Sequence, residues 1–217
     1  MKITNKKLGI GIPCNYNHVP LPFFVSFMQL ERPDFIPITA TSGHIDELRN
    51  KIVIDALKLN CSHLIMMDTD QVYPVNTIPK LLSHKLPIVG CLVHRRYPPF
   101  DPLLMKGKLN EYETIKEWED GELLEVDATG TGCLMFDMRV FRNMPAPWFR
   151  FKPNPDLKKG GIIGEDIGLC SDLKDAGYKI YVDTSIKCGH LSTMVIEDRT
   201  WRLYQSLQKN SNNKKEE

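Results

Sequence analysis

The chain has no long hydrophobic run, no excess of either charge and no paired cysteine motif, and each absence excludes a class of protein. Its apolar runs, such as residues 64–67 and 133–136, fall far short of the ~18 residues that indicate a membrane span. Lys plus Arg number 28 and Asp plus Glu 27, so the formal charge is +1 and no overall attraction to nucleic acid is expected. The 217 residues are 42% hydrophobic and 25% charged, which is typical of a folded globular protein.

Neither the first residues nor the cysteines indicate secretion. Residues 1–7 are basic, but Pro13, Asn15 and Asn17 interrupt the apolar stretch behind them, unlike a secretory signal. No two cysteines form a C-x-x-C pair, and most lie in apolar, strand-like segments. The six are Cys14, Cys61, Cys91, Cys133, Cys170 and Cys188. We therefore expect free, mostly buried thiols in a reducing compartment and a cytoplasmic protein with no transmembrane segment.

The first half of the chain alternates between strand-like and helix-like segments. Strands are predicted at residues 8–12, 35–39, 63–67 and 87–93, and helices at 21–30, 45–59 and 75–83. The helix at 45–59 is amphipathic, since Ile45, Leu48, Ile52, Ala56 and Leu59 recur at spacings of three and four. This βαβα order predicts an α/β fold with a mixed, mostly parallel central sheet flanked by helices.

The second half is less regular. Residues 112–118 and 123–126 flank a turn at Asp120-Gly121 and predict antiparallel strands, and further strands are predicted at 132–136 and 178–182. Residues 150–163, rich in Pro, Lys and Gly, predict a mobile loop before a helix at 165–176 that Gly177 ends. We expect one domain over residues 1–208 and a polar flexible tail over 209–217.

Two carboxylates follow the third predicted strand. Asp68 and Asp70 are two residues apart, so they share a side if the strand continues through them. Ligands of open α/β sheets gather at the carboxyl ends of the strands, where paired carboxylates hold Mg²⁺ or Mn²⁺. Because chance produces about one D-x-D tripeptide in a chain of this composition, its position after a buried strand is the stronger indication.

A second acidic pair and a histidine are the other candidates. Glu165 and Asp166 open a predicted helix, where acidic side chains either satisfy free N–H groups or provide a general base. Adjacent helical residues diverge by ~100°, so the two are expected to have different roles. His190 follows Gly189; a lone histidine is usually structural, but a neutral imidazole beside two aspartates would favour Mn²⁺ over Mg²⁺.

In this order the motifs resemble those of family-2-type glycosyltransferases with the GT-A fold. Residues 64–70 are similar to the donor-site strand and D-x-D motif of that fold. Residues 126–136 resemble its acceptor-side strand, and residues 164–166 resemble its E-D helix. The similarity extends from about residue 9 to residue 191, and it implies a metal-dependent transferase that uses a UDP- or GDP-sugar, with an unknown glycan, lipid or protein as the acceptor.

The resemblance also implies a role for each site residue. Pro13, Cys14 and Asn15 would line the base and ribose, and Arg49 would point towards the nucleotide. Asp68 and Asp70 would face the sugar nucleotide and bind Mn²⁺ or Mg²⁺, chiefly through Asp70, with His190 as the third protein ligand. Asp166 would be the base of an inverting enzyme, and Glu165 would support the acceptor or the helix cap. Trp148 is expected in the packed interior rather than against an acceptor sugar.

Two other functions remain open from the sequence. Residues 64–72 also fit the signature of a haloacid-dehalogenase-type phosphatase, with Asp68 as nucleophile and Asp70 as acid/base. That signature usually lies near the N-terminus, whereas two strands and two helices precede it here. The other alternative is a sugar-nucleotide-binding module without turnover.

Overall fold

The structure, a computed structural model, describes residues 7–154 and 161–193 together with residues 198, 202, 203 and 206. The strands are β1 (Leu8–Pro13), β2 (Phe35–Ala40), β3 (His63–Met67), β4 (Gln71–Val72), β5 (Ile88–Leu92), β6 (Met105–Lys106), β7 (Glu113–Thr114), β8 (Leu123–Val126), β9 (Cys133–Asp137), β10 (Lys152–Pro153), β11 (Ile162–Ile163), β12 (Ile180–Lys187) and β13 (Gly189–His190). The helices are α1 (Leu21–Gln29), α2 (Ile45–Lys58), α3 (Thr77–Ser83), α4 (Met138–Asn143) and α5 (Glu165–Asp175).

Seven strands form the central sheet, in the order β2-β1-β3-β9-β5-β12-β8. β1 pairs parallel with β2 and β3, and β5 pairs parallel with β12, whereas β9 and β8 pair antiparallel with their neighbours. Five of the seven strands therefore point the same way, which confirms the predicted mostly parallel α/β sheet.

Alternating side chains of β3 enter separate hydrophobic clusters on the two faces of the sheet. Leu64 and Met66 join the cluster that includes α2, α4 and α5, and Ile65 and Met67 join the cluster that includes α1 and α3. A strand covered on both faces is continuously apolar, which is why residues 63–67 were predictable as a strand. Trp148 is buried in the first cluster, as expected.

Helix α2 packs closely on β1. Its predicted apolar face is buried through Leu48, Ile52 and Ala56. A Cβ at Gly11 of β1 would collide with the Ile52 side chain, so only glycine permits this approach. The helix begins where the His44 backbone N–H donates to Glu47 Oε2 at 3.0 Å. This packing brings the first turns of α2 to the carboxyl end of β1.

Antiparallel strands form on both sides of Asp120-Gly121, as predicted, but each pairs with another part of the chain. β7 pairs with β6, and β8 pairs antiparallel with β12, so the two segments do not form a hairpin with each other. Such short segments have mostly exposed side chains, so their hydrophobic pattern does not identify the strands with which they pair. β12 is longer, and its edge is available for pairing with β8. β12 also extends to Lys187, five residues beyond its predicted end.

Part of the predicted mobile loop is ordered. Lys152 and Pro153 pair antiparallel with Ile163 and Ile162, while residues 155–160 lie outside the described residues. The predicted tail at 209–217 is also outside them, so its flexibility stays a prediction. Among the described residues, no helix combines the length and the apolar character needed to cross a bilayer.

Candidate active site

A cleft of about 540 Å³ opens at the carboxyl ends of β1 and β3. Six residues expected at a nucleotide site line it: Pro13, Cys14, Asn15, Arg49, Asp68 and Asp70. Pro13, which ends β1, and the two residues after it form one wall, α2 contributes Arg49, and the turn after β3 contributes the two aspartates. Asp68 and Asp70 lie beyond the end of β3 rather than within it, so the turn, and not strand alternation, brings both to the cleft.

Arg49 connects two carboxylates that are far apart in the sequence. Its Nη2 lies 2.9 Å from Asp68 Oδ2, and its Nε lies 3.1 Å from Glu165 Oε1. Arg49 and Glu165 are buried. Burial alone would lower the pKa of Arg49, but the charges of Asp68 and Glu165 raise it overall. The two carboxylates therefore hold the guanidinium of Arg49 beneath the cleft. Through these two ion pairs, Arg49 joins α2, the turn after β3 and α5.

Several buried polar atoms around Asp68 have no hydrogen-bond partner within the described part of the chain. They are Arg49 Nη1, Asp68 Oδ1, Gln71 Oε1 and Thr131 Oγ1. Buried donors and acceptors are nearly always satisfied in folded proteins, and leaving one unpaired costs about 1–3 kcal/mol. This concentration of unpaired groups indicates a place prepared for polar ligand atoms.

The loop before β9 is fixed directly against Asp68. The Asp68 backbone N–H donates to Gly132 O at 2.9 Å, and the Tyr73 hydroxyl lies 2.7 Å from Asp68 O and 3.0 Å from Gly132 O. A Cβ at Gly132 would lie 2.8 Å from Asp68 Oδ2 and would collide with the Gln71 amide. Glycine at this position therefore lets the loop before β9 approach the aspartate.

Asp70 and His190 are brought together by two very short strands. β13 pairs antiparallel with β4, with His190 opposite Gln71, and the Leu191 N–H donates to Asp70 O at 2.7 Å. His190 Nε2 lies 3.4 Å from Asp70 Oδ2. The His190 Nδ1–H donates to His94 O at 2.7 Å, which leaves Nε2 directed towards the aspartate.

Arg96 also contacts Asp70, with Nη1 2.6 Å from Oδ2. Although burial opposes ionisation of Asp70, the hydrogen bond from His190 and the nearby charges lower its pKa. That hydrogen bond also raises the pKa of His190. Within the described residues, Asp68, Asp70 and His190 do not form one cluster of three ligand atoms, since Asp68 faces Arg49 instead.

The two carboxylates of the second acidic pair have different surroundings. Glu165 is buried against Arg49, and Asp166 Oδ1 accepts the Ile167 N–H at 2.7 Å. Burial raises the pKa of both carboxyls, and the charge of Arg49 opposes the rise. Asp166 Oδ2 also lies near Gly130 of the loop before β9, at 3.9 Å from the position that a Cβ atom on Gly130 would occupy.

Gln71 and Arg96 are site residues that were not predicted from the sequence. Gln71 is buried beside Gly132, and Arg96 is half exposed on the cleft wall. A signal for Arg96 existed, since it closely follows a predicted parallel strand whose end faces the same edge of the sheet. Gln71 had no such signal, because its burial depends on the pairing of β4 with β13.

Comparison with known proteins gives similarity in structure only. No family model matches the sequence, and no curated protein matches it. A197 from STIV superposes with a TM-score of 0.61 at 17% identity, over 86% of each chain. GalNAc-T7, solved with UDP, GalNAc and Mn²⁺, superposes with a TM-score of 0.58 at 12% identity, over 87% of this chain. This chain has the GT-A fold.

TarS 1-349 from S. aureus, solved in complex with UDP-GlcNAc, is also similar, with a TM-score of 0.50 and 10% identity over 88% of this chain. The match spans 44% of the GalNAc-T7 chain and 60% of the TarS chain. The predicted GT-A fold is confirmed, whereas assignment to the family-2 type stays a prediction.

Proposed function

We propose that the protein transfers a sugar from a nucleoside-diphosphate sugar to an acceptor hydroxyl. The observation that carries the proposal is the cleft itself: Arg49, Asp68, Asp70 and Arg96 line one pocket at the strand ends of a GT-A fold. The neighbours GalNAc-T7 and TarS were solved with UDP and with UDP-GlcNAc, which supports the same donor class here.

The donor would lie along the cleft with its base against Pro13, Cys14 and Asn15. Arg49 and Asp68 would bind the ribose or donor sugar through the atoms that now lack partners, Arg49 Nη1 and Asp68 Oδ1. Arg96 is the exposed cation nearest to Asp70 and would shift to the diphosphate oxygens when the donor binds. The two arginines and the unpartnered oxygen of Asp68 thus suit a ligand that carries both phosphate and hydroxyl groups.

A divalent ion fits beside Asp70 and His190. The hydrogen bond from Nδ1 to His94 O turns Nε2 of His190 towards the Asp70 carboxylate, and hydrogen bonds of this kind orient metal-ligating histidines. Nε2 would release its proton, now shared with Asp70, on binding the ion. Mixed oxygen and nitrogen donors suit Mn²⁺ better than Mg²⁺. When bound, the ion would supply Lewis-acid stabilisation of the departing diphosphate. Asp68 would act on the donor through its bond to Arg49 rather than as a metal ligand.

Asp166 would remove the proton from the attacking hydroxyl. It lies next to the loop before β9, and its pKa is raised mainly by burial, which makes its carboxylate a stronger base than an exposed aspartate. Glu165 would position this end of α5 through its ion pair with Arg49. A base on the acceptor side implies an inverting reaction.

A thermal-shift screen of nucleotides and nucleotide sugars, with and without Mn²⁺, tests the proposal. We expect one nucleoside diphosphate and its sugar derivative to raise the melting temperature in the presence of Mn²⁺, followed by release of the diphosphate when a suitable acceptor is added. Stabilisation by beryllofluoride, which mimics an aspartyl phosphate, would instead favour the phosphatase. Tight nucleotide binding without turnover against a broad acceptor panel would favour the binding module.

A further inference from the structure

Three of the six cysteines meet at one buried point behind the cleft. The Sγ atoms of Cys91, Cys133 and Cys188 all lie within 4.8 Å of one another, and those of Cys91 and Cys133 are 3.0 Å apart. All three residues are buried. This is the one such group of three metal-ligating side chains within the described residues. Its sulfurs play no part in the proposed sugar transfer.

Backbone pairing brings the three sulfurs together. β5 and β9 pair antiparallel, with Gly90 opposite Leu134, so the next pair in that register is Cys91 and Cys133. The Cys188 N–H donates to Leu92 O at 2.9 Å, which holds Cys188 beside the end of β5. The three ligands therefore come from three separate segments that the sheet fixes, rather than from one flexible loop.

We propose that Cys91, Cys133 and Cys188 bind one thiophilic metal ion, of which Cu(I) fits the site best. Soft thiolate sulfurs select Cu(I), Zn²⁺ or iron–sulfur clusters. Structural Zn²⁺ sites are almost always four-coordinate, and no fourth metal-ligating side chain joins this group within the described part of the chain. A three-sulfur site thus favours an ion that accepts three ligands.

The dimensions of the cluster suit such an ion. Metal–thiolate bonds of about 2.3 Å place three sulfurs about 4 Å apart around a central ion. The observed separations, from 3.0 Å to less than 4.8 Å, span that value, so small side-chain rotations suffice. Binding releases one proton to the solvent for each thiolate that forms, and no electron is transferred.

The ion would join the acceptor-side strand to the segment that carries His190. Cys133 follows Gly132, whose carbonyl accepts from the Asp68 N–H, and Cys188 precedes β13. A metal in this place would stabilise the strands below the cleft without touching the donor. It is therefore distinct from the Asp70–His190 site, which has oxygen and nitrogen donors.

Anaerobic titration of the reduced, full-length protein with Cu(I), in competition with a chromogenic Cu(I) chelator, tests the proposal. We expect one Cu(I) per chain, a sulfur-to-copper absorption band in the near ultraviolet and a higher melting temperature. Cys133→Ser and Cys91→Ala should each weaken Cu(I) binding by at least tenfold. Cys61→Ala removes a buried cysteine outside the cluster and should retain the full stoichiometry and affinity.

Equal Cu(I) binding by the wild type, Cys91→Ala and Cys133→Ser would overturn the proposal, as would the absence of a one-to-one complex in the wild type. Circular dichroism of each apo variant identifies any that fails to fold. Cys188→Ala, at the edge of the cluster, then provides the same test with less disturbance of the sheet. A sugar-transfer defect alone would not count, because it would reflect the proposed active site.

Discussion

Arg49 is held between Asp68 and Glu165, with nitrogen–oxygen distances of 2.9 Å and 3.1 Å. The three residues come from α2, the turn after β3 and the start of α5, so one guanidinium joins the three elements that border the cleft. The guanidinium also lies over the Phe149 ring, with its carbon 5.8 Å from the ring centroid. The arrangement fixes the position of Asp68 at the cleft.

We expect Arg49→Met to destabilise the protein by about 3–5 kcal/mol, because it leaves two partly or fully buried carboxylates without a counter-charge. Urea denaturation measures the free energy of unfolding. Arg139→Met is the matched control, since it removes an exposed arginine paired with Asp137 and should destabilise the protein far less. An equal decrease in the free energy of unfolding in the two variants would show that the ion pairs of Arg49 stabilise the protein no more than an exposed pair does.

Asp166→Asn distinguishes a general base from a helix-capping residue. The amide oxygen of asparagine would still accept the Ile167 N–H, so a purely capping role predicts a loss of only about 0.3–1 kcal/mol in stability. As the base, Asp166 cannot be replaced by an amide, and kcat should fall by a factor on the order of 10²–10⁴ with little change in donor affinity. Near-normal kcat in a folded variant would assign the role to Glu165 or to a mechanism without a base.

The raised pKa of Asp166, due first to burial, predicts a pH dependence. Activity should fall as the pH falls through that pKa, because the protonated carboxyl cannot accept a proton. A carboxyl whose pKa is higher in the folded state favours folding at low pH, and that contribution is lost as the pH rises through the folded-state pKa. The stability of wild type relative to Asp166→Asn should therefore decrease with rising pH. Parallel pH–stability curves for the two proteins would contradict this.

Gly132→Ala should displace Asp68 and impair transfer. The added methyl would lie 2.8 Å from Asp68 Oδ2 and overlap the Gln71 amide, and such overpacking costs about 1–3 kcal/mol. Gly161→Ala is the control, because a Cβ there has no neighbour within 4 Å in the described part of the chain. Unfolding curves and transfer rates of both variants check the prediction, and an unaltered Gly132→Ala enzyme would show that Asp68 tolerates displacement.

Local patterns predicted the elements that carry the site. Four consecutive apolar residues identified β3, and the spacing from Ile45 to Leu59 identified α2, because burial on one or both faces leaves a direct trace in the sequence. The residues predicted for the nucleotide site, which lie at the end of β1, on α2 and after β3, consequently line one cleft.

Long-range pairing of short segments could not be predicted. β4 and β13 have two residues each and are separated by more than a hundred residues, so no periodicity shows that His190 meets Asp70. The same holds for the convergence of Cys91, Cys133 and Cys188, and for the pairing of β8 with β12. In each case the contact depends on the strand order of the whole sheet.

Isothermal titration calorimetry of a nucleoside diphosphate, with Mn²⁺ or with EDTA, tests the central claim most directly. The titration compares the wild type, Asp70→Ala and, as a control, Asp120→Ala, which removes an exposed carboxylate paired with Lys187. We predict Mn²⁺-dependent binding by the wild type and Asp120→Ala, and affinity weaker by on the order of tenfold or more in Asp70→Ala. The account would be contradicted if the wild type bound equally well in EDTA and in Mn²⁺ and Asp70→Ala bound as tightly as the wild type. It would also be contradicted if the wild type bound no nucleoside diphosphate.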